Sequence, residues 1–217
     1  MKKRLFSAGF CFFLIVGFSL QVSAFSELDI EKAKEGCIHT QGSGCKLSGA
    51  DLTNAILIKA NLEHTDLSGA DLSGADLSGA NMGAANIINA NLSNANLSGV
   101  NLTDGILSKS NLSKVNLTKA KMKWANLTGV NLTRANLTGI NATEIYLKKA
   151  NLTGANLTDA NLRVSTFTNA NLTDANLTGA NLRMANLTGA NLTGANLTGT
   201  IFCKTTMPDG TKNDSGC

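Results

Sequence analysis

Little in this chain can do covalent or metal chemistry. Its two histidines, His39 and His64, belong to no His/Cys/carboxylate set with metal-ligand spacing. No G-x-S-x-G elbow and no phosphate-cradling P-loop occurs, and the many Ser and Thr residues lack a base partner. No catalytic, cofactor-binding or metal-ligating residue is therefore assigned, and the sequence reads as non-enzymatic. Two other chemistries are available. One is oxidative pairing among Cys37, Cys45, Cys203 and Cys217, which leaves three pairings open. The other is non-covalent recognition. The single tryptophan, Trp124, and the single tyrosine, Tyr146, stand among Lys123, Glu144, Lys148 and Lys149. An exposed aromatic beside cations is the composition of interaction hot spots.

The first 24 residues bear on the redox compartment. Lys2, Lys3 and Arg4 precede an apolar run, Leu5 to Leu20, and Gln21-Val22-Ser23-Ala24 supplies the modest side chains of a cleavage site. The run is short for a membrane anchor, so residues 1–24 read as a signal peptide. An even cysteine number in an exported chain favours disulfides over metal or redox chemistry. The full chain has 19 Lys+Arg against 15 Asp+Glu; without the three leading cations the balance is 16 against 15, or +1. That is no dense positive face, and no nucleic-acid partner is expected.

From Leu47 to Phe202 the chain keeps a period of five without one insertion or deletion. Of 32 central positions 26 are Leu; the others are Met82, Ile87, Met122, Ala142, Phe167 and Phe202. Alanine usually stands two residues before the centre, and Asp or Asn one residue before. Five is neither the helical nor the strand period. A helix would smear these leucines around its circumference, and a strand would put alternate ones in water. A path that turns a corner every five residues buries them all. Within Ile140–Lys149 the leucine is lost at Ala142 while Ile140 replaces the usual alanine, so large and small exchange places inside one wall.

This A-(D/N)-L-x-x pattern over Lys46 to Lys204 resembles the pentapeptide-repeat family. The resemblance implies an all-β fold, a right-handed quadrilateral parallel β-helix of about eight coils with four pentads to a coil. At ~4.8 Å per coil the rod is roughly 38 Å long. Residues 25–45 are expected to form an N-terminal cap with a short helix ending near Gly36, residues 46–204 the β-helix, and residues 205–217 a capping tail. A disulfide reaches only ~4.4–6.8 Å between Cα atoms. In such a rod the pairs are then Cys37–Cys45 and Cys203–Cys217, one at each end. Open ends also invite pairing, so the rod is expected as a monomer or an end-to-end dimer.

With four pentads to a coil, residues twenty apart stack on one face. Every non-leucine centre falls on two adjoining faces, those begun by Leu47 and Leu62. Up the second of these the outward residues include Lys123, Arg163 and Arg183 in one column, and Trp124 and Glu144 in the next; Tyr146, Lys148 and Lys149 lie round the corner. These eight form the candidate contact surface. Between Asp104 and Lys149 eight basic residues also stand against two acids, a belt suited to an acidic partner.

Some members of the family resemble B-form DNA and protect type II topoisomerases from quinolones. That alternative implies an acidic cytosolic rod. The near-neutral charge and the export signal favour instead a binding or structural module of the bacterial cell envelope, periplasmic or secreted. Its partner is then an unidentified protein or anionic envelope component, and it meets the membrane only through the signal peptide before cleavage.

Overall fold

The computed structural model describes residue 44 and residues 46–217. The expected signal peptide, N-terminal helix and Cys37–Cys45 bridge lie outside the described residues. Within them no helix forms, and the chain winds as a continuous parallel β-ladder. Each partner lies twenty residues further on, from Lys46↔Asp66 through Asn111↔Asn131 to Asn186↔Thr206. An uninterrupted period of five keeps the step constant, and its size is the four pentads to a turn that the family resemblance implied.

One pentad accounts for all its own backbone donors. Asp71 N–H bonds Ala50 O at 2.9 Å in the coil before; Leu72 and Gly74 N–H bond Asn91 O and Ser93 O at 2.7 and 2.9 Å in the coil after. Ala75 N–H closes the corner onto Leu72 O at 3.0 Å. The fifth donor, Ser73 N–H, is taken by the Asp71 carboxylate at 2.9 Å. Asp or Asn before the leucine is thus a structural requirement, because a short side-chain acceptor must close the turn.

The same residues stack. Asn91 donates its amide to Asp71 at 3.1 Å, Asn111 to Asn91 at 3.1 Å, and Asn131 to Asn111 at 3.1 Å. Higher up, Asn171 donates instead to the Thr153 hydroxyl at 3.0 Å, which itself donates to Asn151 at 2.7 Å. An asparagine can give and receive in such a column; the lowest member need only receive, and there a carboxylate serves. Burial alone would raise the Asp71 pKa, but the Ser73 hydroxyl and N–H and the Asn91 amide more than offset it and hold it below the ordinary 3.8. A depressed folded-state pKa stabilises the fold above the unfolded value, and the contribution disappears as pH falls through the folded one. The unfolding midpoint should therefore drop on acidification below pH 3.8, and Asp71→Asn should flatten that limb when midpoints are compared from neutral pH downward.

Inside, leucines and alanines form one core along the rod. The departures keep the rule: Met82, Ile87, Met122, Ala142 and Phe167 are fully buried, and Ile140 stands in the wall beside Ala142 at 2 % exposure.

At the far end the strands β1 (Thr205–Thr206) and β2 (Lys212–Asn213) pair antiparallel across the Pro208-Asp209-Gly210 turn. The tail continues the ladder over half of the last coil, since Leu187 N–H bonds Thr206 O at 2.8 Å and Gly189 N–H bonds Pro208 O at 2.9 Å. Over the other half no described residue continues the ladder, and Leu192 and Leu197 stay partly exposed. Cys203 and Cys217 are joined, with Cα atoms 4.8 Å apart. Of the two bridges expected from the sequence, this is the one within the described residues.

Candidate interaction surface

Two residues after each centre the backbone enters the left-handed region, with φ between 51° and 69° at the repeat corners. This is costly for any side chain with a Cβ, so glycine, Asn and Asp are the natural occupants. On three of the four corners the position holds only Gly, Asn, Asp, Lys or Arg. The corner that follows the Leu62 face holds no glycine. Up it run His64, Ala84, Asp104, Trp124, Glu144, Val164, Met184 and Lys204, all at positive φ. Val164 is β-branched, and at φ 60° it is a backbone outlier.

This corner also gathers the exposed apolar side chains. Eight large hydrophobics are exposed among the described residues, and Ile106, Trp124, Tyr146, Val164 and Met184 all stand here. They come from two columns, one on either side of the corner. Five successive coils each contribute one: Ile106 beside Asp104, Trp124 beside Asn126, Tyr146 beside Glu144, Val164 beside Thr166, Met184 beside Asn186. Ile106 and Tyr146 sit where other pentads carry Asp or Asn, so the side-chain ladder is interrupted at both. The backbone beneath is intact: Trp124, Glu144 and Val164 N–H bond Thr143, Arg163 and Arg183 O at 3.2, 2.9 and 2.9 Å.

The cations divide into two groups. The Lys123 ammonium lies 3.7 Å from the centroid of the Trp124 ring, a cation–π contact. Lys148 and Arg163 are exposed on the faces that flank this corner, Lys149 is exposed at the next corner, and Glu144 is half-buried. Lys114, Lys119 and Arg134 project from the other corners, so the basic belt encircles the rod while the apolar residues do not. Only one cluster of metal-type ligands occurs among the described residues, Cys203, Asp214 and Cys217, and its two sulfurs are bonded to each other.

The family model for pentapeptide repeats matches this chain in eight copies, over overlapping segments from residue 45 to residue 207. The chain belongs to the pentapeptide-repeat family. Proteins of that family form right-handed quadrilateral β-helices and are generally structural or binding proteins. Among solved structures, HetL, a pentapeptide-repeat protein involved in heterocyst differentiation regulation in the cyanobacterium Nostoc sp. strain PCC 7120, is 32% identical, with a TM-score of 0.43, over 77% of this chain and 87% of its own. Rfr23 from the cyanobacterium Cyanothece 51142 is 41% identical, with a TM-score of 0.39, over 39% of this chain and 58% of its own. QnrB1, a plasmid-mediated fluoroquinolone resistance protein, is 19% identical with a TM-score of 0.48, over 74% of this chain and 83% of its own. No curated protein sequence matches this pentapeptide-repeat chain.

Six of the eight sequence-assigned surface residues of this pentapeptide-repeat rod stand on or beside the apolar corner, and Lys149 stands at the next one. Arg183 has a different job: its Nη2 donates to Gly216 O at 2.8 Å and so holds the tail, while its Nε is buried without a partner. Ile106, Val164 and Met184 were absent from the sequence assignment. For Val164 and Met184 the sequence signal is the lack of glycine along the Trp124 column, and for Ile106 it is the loss of the usual Asp or Asn.

Proposed function

We propose that this protein is an exported, non-enzymatic pentapeptide-repeat rod that binds a partner in the bacterial cell envelope through one corner. The observation that carries the reading is the gathering of exposed apolar residues on that corner. Export rests on the basic start, apolar run and small-residue site of residues 1–24. We take the rod as about eight coils, its N-terminal end closed by a short helix and a Cys37–Cys45 bridge and its far end by the tail. QnrB1's resistance role is not carried over, since the charge left after residues 1–24 is +1 rather than strongly acidic.

Photocrosslinking in the native envelope tests the reading. Probes replacing Trp124 or Tyr146 should capture a partner well above a control probe at Thr133, on a regular face. Equal capture at all three sites overturns the contact corner. Uncleaved protein in the cytosol overturns export and returns the topoisomerase alternative.

A further inference from the structure

Five consecutive coils expose Ile106, Trp124, Tyr146, Val164 and Met184 along one corner. At ~4.8 Å per coil the strip is roughly 19 Å long, about the reach of six extended residues. We infer that this corner is a docking strip for a protein segment that carries apolar side chains among carboxylates. This deepens the binding reading above and rests on it.

Three observations select that occupant. First, the backbone donors of the strip are already bonded to neighbouring coils, those of Ile106 and Tyr146 to the coil before and those of Trp124, Val164 and Met184 to the coil after, so a partner cannot add as a strand and must be read by side chains. Second, three of the five anchors, Ile106, Val164 and Met184, are aliphatic or thioether groups. They offer no aromatic plane on which a sugar ring could lie, and they suit the apolar side chains of a polypeptide. Third, the surroundings are cationic: Lys123, Lys148 and Arg163 flank the corner and Lys121 and Lys149 stand at the far ends of its two faces, against Asp104 and Glu144. Complementary carboxylates on the partner would be steered to the strip and held in register.

The backbone argues that the strip is selected rather than tolerated. Trp124, Val164 and Met184 hold φ of 60°, 60° and 59° at a position where the other three corners keep only Gly, Asn, Asp, Lys or Arg. Each pays for its conformation in stability, and strain of this kind collects at functional sites. The packing of the rod returns less here than at a core position, since all three side chains are more than two-fifths exposed.

That pairing of strain with exposure separates a binding role from a structural one. Random peptides displayed on phage are selected on the immobilised full chain, and enriched peptides are then titrated against the parent and against a Trp124→Gly/Val164→Gly/Met184→Gly variant. Enriched peptides should combine Asp or Glu with Leu, Ile, Phe or Trp, and their affinity should fall as salt rises. The triple variant should bind them at least about 100-fold more weakly while its thermal midpoint stays level or rises. A fallen midpoint would make the column structural and overturn the proposal, as would undiminished binding or enrichment of peptides without carboxylates. Heparin serves as the polysaccharide probe. Tight heparin binding that depends on Lys123, Lys148 and Lys149 but not on Trp124, with no peptide enriched, sinks the strip and leaves the envelope-binding reading standing. Uncleaved protein in the cytosol sinks that reading whichever peptides are enriched.

Discussion

Removal of the Cys203–Cys217 bridge, by reduction or by a Cys203→Ser/Cys217→Ser variant, is expected to cost about 3 kcal/mol. The sequence separation is 14, and closing a loop of that size removes about this much free energy from the unfolded ensemble. For a chain of this length the thermal midpoint should fall by roughly 6–12 °C. The loss should also be local. Each coil of a solenoid is stabilised by its neighbours, so a weakened end frays before the middle opens. The bridge supports a set of contacts that fix the tail: Lys204 N–H on the Asp214 carboxylate at 2.6 Å, Gly216 N–H on Phe202 O at 2.5 Å, and Arg183 on Gly216 O. Once these loosen, Leu187 and Gly189 N–H lose the tail carbonyls that accept from them. Amide exchange should then accelerate at Leu182, Leu187 and Gly189 and stay slow at Leu112 and Leu132. An unmoved midpoint, or acceleration spread evenly along the rod, would show that the tail is not the closing element.

The bridge illustrates what was legible in the sequence. A period of five without a slip fixes which residues face inward, because every pentad does the same job and one misplaced leucine would break the count. The buried leucines follow from that regularity, while the β-helix and its twenty-residue step were implied by the resemblance to the pentapeptide-repeat family. The asparagines were less legible. As side chains they look like solvent-facing polar residues, and only the backbone shows that they close the turn at Thr133 or Thr153 and bond the coil below. The corner was half legible. Trp124 and Tyr146 announce themselves as the single members of their types, but Val164 and Met184 stand out only by the lack of glycine in their column, which acquires its meaning once the sign of φ there is known. Arg183 was assigned to the surface because pentad arithmetic places it there. The tail that engages it follows no repeat, so no periodic argument could foresee the contact with Gly216.

Ile140→Ala alone is expected to cost about 2–5 kcal/mol, the range for truncating a buried aliphatic side chain. Ala142→Leu alone should cost about 1–3 kcal/mol through overpacking. Together they should cost less than Ile140→Ala by itself, with a coupling of at least about 1 kcal/mol. Both residues are buried, at 2 % and 0 % exposure, two positions apart in one wall. Elsewhere on that face the pairs Ala60/Leu62, Ala160/Leu162 and Ala180/Leu182 place the small residue first and the large one second. The coil at Ile140 reverses the order. Restoring it moves volume within the wall instead of adding or removing it, which is the change a close-packed core tolerates best. A residual cost is expected because the next inward position is Ile145, also buried, where alanine is usual. Urea midpoints of the two single variants and the double variant measure the cycle, with a constant m-value as the sign that the rod still unfolds in the same way. Additive costs would mean that the coil carries a genuine defect, and that Glu144 and Tyr146 are displayed by a distorted corner. Strong coupling means that the coil is whole. The corner residues it presents are then set by what they meet outside the rod, because the core beneath them accepts either order of large and small.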